Sequence, residues 1–185
     1  MLEEIFKTTE AEMKKCLENL EREFHSIHTG RANPALVENV QVEAYGSAVP
    51  LKQVASISIP EARTILIQPW DKSTLGAIEK GIMAANLGFT PNNDGRLIRI
   101  NIPSPTEERR REYVKLAKQM AEDARIAIRN VRRKHKDEVK KLEKEHKISE
   151  DEMYADIDKI QELTDKYIEK VDEDLKEKEE EIMEV

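Results

Sequence analysis

Apolar residues recur at spacings of three and four in two long parts of the chain, one before Gly30 and one after Pro103. In the first part this spacing predicts one amphipathic helix of about 27 residues that ends at Gly30. The second part contains two helix-start signatures, Ser104-Pro105-Thr106-Glu107 and Ser149-Glu150-Asp151-Glu152, and a long apolar stripe follows each one. Three such helices can bury their stripes against one another, so the pattern predicts a long antiparallel three-helix bundle.

Residues 31–104 show a different pattern, because isoleucine and valine alternate there with polar residues. A period of two predicts strands, which are expected around Val42, Ile57, Ile67 and Ile100. Asp71 is positioned to cap a short helix that ends at Leu87-Gly88. Trp70 is expected to pack inside this part of the chain. The prediction is a small β/α/β domain inserted into the bundle, which makes the fold class α+β.

Helix-breaking residues divide the chain at the same places. All 7 prolines lie from Pro34 to Pro105, and Gly30 is the single glycine outside that interval. We therefore expect two domains, a discontinuous bundle formed by 1–30 plus 105–185 and an insert formed by 31–104. The chain passes between them twice, so hinges are expected near 30–34 and 103–105. The hinge residues are Gly30, Arg31, Pro34, Pro103, Ser104 and Pro105.

Charge distinguishes the two later helices of the bundle. The chain is 37% charged and only 4% aromatic, which favours long solvated helices over one large core. Residues 105–147 contain 15 lysines and arginines against 9 acids, whereas residues 148–185 contain 5 against 16. We hypothesise that the acidic helix repels a polyanion and so orients its docking. The alternative is a glutamate-rich helix that is simply well solvated.

Basic residues of the second helix fall on one side when each residue is placed about 100° from the last. They cover roughly 100° of arc, and the apolar residues of the same helix centre on the opposite side. We call these residues the arginine stripe: Lys118, Arg125, Arg129, Arg132, Arg133 and Lys136. Arginine favours bidentate contacts with phosphate, so the stripe predicts binding to a nucleic-acid backbone. A solvated helix face with ion pairs four residues apart remains open as the alternative.

Few features of the sequence indicate an enzyme. There is no Walker loop and no GxGxxG motif, and the histidines show no metal-ligand spacing with carboxylates. The single cysteine, Cys16, excludes an internal disulfide and a CxxC zinc cluster. No segment has the roughly 18 consecutive apolar residues of a membrane helix, and the N-terminus lacks a signal-peptide layout. We therefore expect a cytoplasmic protein that is not an enzyme and needs no metal or other cofactor.

Five short segments of the chain are distinctive. They are His28-Thr29-Gly30-Arg31-Ala32, Ile67 to Ser73, Asn86 to Asn92, Pro105 to Arg110 and Ala127-Ile128-Arg129-Asn130-Val131-Arg132-Arg133. Together they resemble bacterial ribosome recycling factor, and the likeness runs from end to end at matching length. The resemblance implies a two-domain, L-shaped molecule of tRNA-like dimensions that binds the ribosome after termination. It also implies that the factor splits the subunits together with elongation factor G and its GTP hydrolysis. We expect a monomer with no membrane partner.

Carried over by position, the resemblance implies that the bundle lies on large-subunit ribosomal RNA. It makes Arg129 and Arg132 the principal contacts and adds Arg31 and Arg110 as further basic positions. The arginine stripe, which follows from helical angles, includes the same Arg129 and Arg132. His28 departs from the family, in which arginine is typical, so a fixed positive charge is missing there near pH 7.

A second hypothesis belongs to a different class of protein. A helical adaptor or coiled-coil chaperone would use the arginine stripe to bind an acidic protein partner. The two hypotheses differ in what a salt titration with purified large subunits measures. Contacts with phosphate release counterions, so tight binding that weakens steeply with salt supports the ribosomal function. Absence of ribosome binding leaves the adaptor.

Overall fold

The structure, a computed structural model of the chain, describes residues 1–27 and 29–184. It divides into two compact units, Met1–His28 with Thr106–Val185 and Thr29–Pro105. The predicted boundaries, 1–30 with 105–185 and 31–104, lie within two residues of this division. The described α-helices are α1 (Leu2–His25), α2 (Leu75–Ala84), α3 (Glu107–Lys144) and α4 (Glu150–Met183). The described strands are β1 (Gln41–Ala44), β2 (Ser47–Pro50), β3 (Ala55–Glu61), β4 (Thr64–Pro69), β5 (Pro91–Asn93) and β6 (Ile98–Asn101).

The first unit is a bundle of α1, α3 and α4. Contacts between side chains show that α3 and α4 run antiparallel, because Arg125 bonds Asp172 late in α4 whereas Arg132 bonds Gln161 earlier in α4. The backbone oxygen of Ile27, just beyond α1, accepts a hydrogen bond from Lys178 near the end of α4, so α1 runs parallel to α4. The core between them consists of the apolar stripes, with these residues buried: Met13, Leu17, Leu20, Phe24, Ala117, Ala121, Ala124, Ile128, Leu163, Tyr167, Val171 and Ile182.

The helix ends of the bundle differ in part from the predicted ones. Helix α4 begins as expected, since the Ser149 hydroxyl accepts a hydrogen bond from the Glu152 backbone N–H at 3.1 Å. For α3, the cap is Thr106, whose Oγ1 accepts from the Arg109 N–H at 3.2 Å, and not Ser104, the first residue of the predicted start signature. Helix α1 ends at His25 with Ser26 as its cap residue, several residues before the predicted end at Gly30.

Gly30 has a different role from the helix stop that the sequence predicted. Its φ of +79° is in the left-handed region, which favours glycine. A Cβ atom at this position would lie 2.9 Å from Pro105 Cδ and 3.1 Å from the backbone oxygen of Pro103. The two connecting segments of the chain therefore pass so close to each other that only glycine fits at position 30 without a shift.

The second unit contains two antiparallel sheets and one helix. Strands β1 and β2 form a hairpin, and the larger sheet has the order β3-β4-β6-β5. Helix α2 packs against β1, where a Cβ at Gly81 would lie 2.6 Å from the Gln41 oxygen. The core of this unit includes the buried residues Val42, Leu51, Ile65, Ile67, Ile78, Ile82, Ile98 and Ile100. The predicted fold class, α+β with three long helices and a small inserted domain, is confirmed.

The expected packing of Trp70 in the second unit was wrong, and the element that Asp71 caps is a short 3₁₀ turn instead of the α-helix itself. Trp70 is 68% exposed instead of packed inside, because it lies just past the end of β4, beyond the edge of the core. The Asp71 carboxylate accepts a hydrogen bond from the Ser73 N–H and so caps the short 3₁₀ turn Lys72–Thr74 that precedes α2.

Strands β2 and β5 lack a clear apolar alternation, and each is held by pairing with a better-patterned neighbour.

Candidate nucleic-acid interface

Helix α3 positions the arginine stripe by burying its opposite face. Ala117, Ala121 and Ile128 of α3 are fully buried in the bundle core. The stripe residues lie on the other side of the helix, where Lys118 and Arg133 are exposed and Arg129, Arg132 and Lys136 are half-buried. Because α3 is continuous from Glu107 to Lys144, these side chains follow one another along a single rigid rod.

Arg125 is the stripe residue most engaged by the protein itself. Its Nη2 and Nε lie 2.6 and 2.9 Å from Oδ1 of Asp172 on α4, and its Nη1 lies 3.0 Å from Oε2 of Glu122. The Arg125 side chain is 19% exposed. The guanidinium therefore joins α3 to α4, and little of it is available to a phosphate.

The middle of the stripe is more open. Arg129 Nη1 lies 3.7 Å from Oε1 of Glu122, a weak ion pair at the surface. Arg132 Nη1 lies 3.5 Å from the amide oxygen of Gln161, a long contact with a neutral group. Arg133 is exposed. Among the arginines of the stripe, these three have the weakest contacts with carboxylates of the protein, so their guanidinium groups are the most available to a phosphate.

The remaining predicted contact residues are spread over both units. Lys118 Nζ lies 4.0 Å from Glu179 of α4, so this lysine has a weak acidic partner. Arg110, in the first turn of α3, is only 9% exposed, and most of its surface is covered by the protein. Arg31 belongs to the second unit and is exposed. His28, the position at which the sequence departs from the resembled family, lies outside the described residues.

Glu122 is the residue in this region that the sequence analysis missed. It lies three residues before Arg125 and seven before Arg129, so its helical angle is within the arc of the stripe. Its carboxylate contacts both arginines. The angular placement that found the basic residues would have found Glu122 had acidic residues also been placed.

A second charged cluster joins α1 to α3 inside the bundle. His135 is buried, and its Nε2 lies 2.7 Å from Oε2 of Glu12 while its Nδ1 lies 3.3 Å from Oε2 of Glu138. Lys134 Nζ lies 3.1 Å from the other Glu12 oxygen. The hydrogen bond from His135 lowers the pKa of Glu12. The cluster holds two helices together, and its contacts are made by residues outside the arginine stripe.

A cavity of about 590 Å³ lies between the start of α1 and the start of α4. Its apolar wall includes Leu2, Phe6 and Ala155, and its polar lining consists of Glu3, Lys7, Glu152, Asp156 and Lys159. Asp156 is buried, and its Oδ2 has no hydrogen-bond partner among the described residues. Burial raises the pKa of this carboxyl. With three acids and two lysines, the cavity does not provide the positive charge that a phosphate needs.

The described part of the chain has neither a candidate metal-binding group nor a candidate membrane-spanning helix. Residues 1–27 and 29–184 include no group of three or more histidine, cysteine, aspartate or glutamate side chains that could hold a metal ion. No helix within the same residues combines the length and the apolar character needed to cross a membrane.

Comparison of the sequence with known families and proteins gives a consistent result. The sequence model of the family described as ribosome recycling factor matches residues 20–183. A ribosome-recycling factor of Halothermothrix orenii is 51% identical over 185 residues, which is the full length of both chains. A ribosome-recycling factor of Bacillus subtilis is 50% identical, again over the full length of both.

Solved structures agree with the sequence comparison. A solution structure of a ribosome recycling factor is 46% identical and has a TM-score of 0.72, covering all of this chain and 98% of the other. A second structure, also 46% identical, has a TM-score of 0.62 and covers both chains completely. It describes the T. thermophilus ribosome recycling factor and the E. coli elongation factor G bound to the E. coli post-termination complex.

Proposed function

The chain belongs to the ribosome recycling factor family, and on this premise we propose that it recycles ribosomes after termination together with elongation factor G. The observation that carries the proposal is similarity at about half of all positions along the whole chain to factors of that function. A related factor that aligns with this chain over all of both chains occurs with elongation factor G on a post-termination complex. Both domains are covered by these similarities, so the function assigned is that of the whole chain.

In this proposal the arginine stripe binds the large ribosomal subunit through its RNA. Arg129, Arg132 and Arg133 make the principal contacts with phosphate, because they have the weakest partners within the protein. Lys118 and Lys136 extend the surface along α3, Arg110 contributes from the first turn of α3, and Arg31 contributes from the second unit. Arg125 supports the surface from within, since its guanidinium is held by Asp172.

The chain acts by binding and does not catalyse a reaction. Recognition of RNA backbone by arginine requires a fixed array of donors and no proton transfer or nucleophile. The partners proposed are the ribosome and elongation factor G, the factor is a monomer that works without a cofactor, and its place of action is the cytoplasm, where ribosomes translate.

We also propose that the connecting segments act as hinges during subunit splitting. Gly30 provides a backbone conformation that other residues rarely adopt, while Pro103 and Pro105 are stiff. Arg31, Pro34 and Ser104 complete the two segments through which the chain passes between domains.

The adaptor hypothesis is not favoured. A helical adaptor of the bundle alone would have no need for the inserted sheet domain, whereas the relatives match this chain over its full length. The relatives named above are ribosome-recycling factors.

The experiment that tests the proposal is disassembly of model post-termination complexes. Purified factor should release subunits only when elongation factor G and GTP are also present. Binding to isolated large subunits, measured at several salt concentrations, should be tight and should weaken steeply as salt rises. Tight binding without any splitting would show that the chain binds ribosomes but has another role there. Absence of binding would refute the proposed ribosomal function.

A further inference from the structure

Glu122 is an acidic residue placed inside the proposed RNA-binding surface. Its two carboxylate oxygens are divided between two arginines of the stripe, Oε2 at 3.0 Å from Arg125 Nη1 and Oε1 at 3.7 Å from Arg129 Nη1. The Glu122 side chain is 48% exposed, so it is not part of the bundle core. A phosphate that approaches Arg129 therefore meets a carboxylate already in contact with that arginine.

Glu122 and Asp172 hold Arg125 in different ways. Asp172 reaches across from α4 and makes two short contacts, at 2.6 and 2.9 Å, which join two helices. Glu122 belongs to α3 itself, three residues from Arg125, so its pairing joins no other element to the helix. An exposed ion pair within one helix contributes only about 0 to 1 kcal/mol, and a better acceptor can displace it. A phosphate group is such an acceptor for a guanidinium.

We propose that Glu122 competes with RNA phosphate for Arg129, and in part for Arg125, and so lowers the affinity of the factor for the ribosome. This proposal rests on the proposed function and deepens it, because it assigns a regulator of affinity to the same surface. The carboxylate occupies the guanidinium groups in the free protein and repels the phosphate that replaces it. A factor that must leave after each round of splitting benefits from such a limit, since affinity differences at one interface appear mainly as differences in dissociation rate.

The same helix provides a matched control for this competition. Asp123 is the neighbour of Glu122 and is also exposed, but it lies about 100° further round the helix, outside the stripe. Its Oδ1 accepts a hydrogen bond from Gln119. Glu122→Gln and Asp123→Asn each remove one negative charge without changing the size of the side chain. Only Glu122→Gln removes a carboxylate that contacts arginines of the stripe.

The test measures dissociation constants and dissociation rates of wild type, E122Q and D123N on purified large subunits. We expect E122Q to bind about three- to tenfold more tightly than wild type, through slower dissociation, while D123N stays within about twofold. The advantage of E122Q should shrink as salt rises, because ions screen the repulsion. Equal affinities for E122Q and D123N would overturn the proposal, since total charge would then explain both. Weaker binding by E122Q would overturn it in favour of a role in positioning the arginines.

A double-mutant cycle with Arg129→Ala locates the effect. If Glu122 acts through Arg129, the gain from E122Q should decrease in the R129A protein. An unchanged gain overturns the assignment to this arginine. Failure of the inference is distinguishable from failure of the proposed function. If wild type and both variants bind subunits with the same affinity, only the proposed competition is refuted. If wild type does not bind subunits at all, the proposed ribosomal function itself is refuted.

Discussion

Helices α3 and α4 pack along each other in the bundle, and their outer surfaces carry opposite charge. On α3, Arg129, Arg132 and Arg133 lie at least partly at the surface, and the carboxylates that reach them are few. The outer surface of α4 carries most of the 16 acids of residues 148–185. Under the proposed function, the basic surface would attract RNA and the acidic surface would repel it.

One buried polar residue of α3 and one of α4 differ in whether they have partners. On α3, His135 is buried but has Glu12 and Glu138 as partners. On α4, Asp156 is buried and its Oδ2 has no hydrogen-bond partner among the described residues. Burial of a polar group costs free energy unless a partner replaces the lost water. The buried polar atoms of His135 therefore have partners within the protein, whereas burial of Asp156 Oδ2 costs free energy.

Removing an arginine from the α3 surface should have the largest effect on function. Arg132→Ala is expected to weaken binding to large subunits by about 5- to 150-fold, the loss of roughly 1 to 3 kcal/mol from a charge-assisted hydrogen bond. Its partner in the protein is the neutral Gln161 at 3.5 Å, so the melting temperature should change little. Arg132→Lys should recover only part of the affinity, because a point charge does not reproduce the planar fork.

The control for this variant lies on α4. Lys176→Ala removes an exposed positive charge from the acidic helix and should leave affinity nearly unchanged. If Arg132→Ala instead lowered the melting temperature by several degrees and bound normally, Arg132 would belong to the structure of the bundle and not to its RNA contact.

Breaking the satisfied cluster of α3 should mainly reduce stability. His135→Ala removes the buried ring between Glu12 and Glu138 and is expected to lower the free energy of unfolding by about 1 to 3 kcal/mol. Urea titration of the variant measures this. Ribosome affinity per folded molecule should stay near the wild-type value, because the contacts of His135 are made with residues outside the arginine stripe. If the free energy of unfolding did not change, water would replace the hydrogen bond between His135 and Glu12 without loss.

The buried carboxyl of Asp156 on α4 should make the free energy of unfolding depend on pH in one direction. Burial raises the pKa of Asp156 in the folded protein above its ordinary value near 3.8, so the folded state retains the proton to higher pH than the unfolded state does. Stability associated with this group is therefore greatest at low pH and decreases as pH rises from 3.8 through the raised pKa. At pH 7, Asp156→Asn should stabilise the bundle by about 0.5 to 2 kcal/mol.

Glu12 provides the opposite case for the same measurement. Its folded pKa is lowered, first by the hydrogen bond from His135, so its contribution is present above its ordinary value of 4.5 and is lost as pH falls through the lowered pKa. Unfolding free energies of Asp156→Asn and Glu12→Gln, measured from pH 3 to 7, should thus diverge from wild type in opposite directions as pH rises. A constant difference between Asp156→Asn and wild type over that range would show that Asp156 does not titrate on unfolding.

Removing the second unit should have the smallest effect on the bundle. The cores of the two units consist of different residues, so replacement of residues 32–103 by a short Gly/Ser linker should leave cooperative thermal unfolding of the helices. Circular dichroism during heating measures this. Loss of a cooperative transition would show that the bundle depends on the insert for its core.

Much of the fold follows from local patterns in the sequence. The three long apolar stripes predict α1, α3 and α4, because helix geometry places every third or fourth residue on one face. Ser149 caps α4 because the capping residues are adjacent in the chain. In contrast, β2 and β5 have little pattern of their own and exist through pairing with β1 and β6. Trp70 is exposed because it follows a strand beyond the edge of its core, which apolarity alone does not indicate.

The sequence by itself determined the membership of the family and the position of the arginine stripe. Both depend on residues close together in the chain, the motif around Arg129 and the angular spacing along α3. The tertiary structure alone decided which of those arginines remain available. Asp172 holds Arg125 from 47 residues away, and Glu12 reaches His135 across 123 residues. Such pairs form because packing brings α1, α3 and α4 together, and helical periodicity contains no information about which charged side chains then meet.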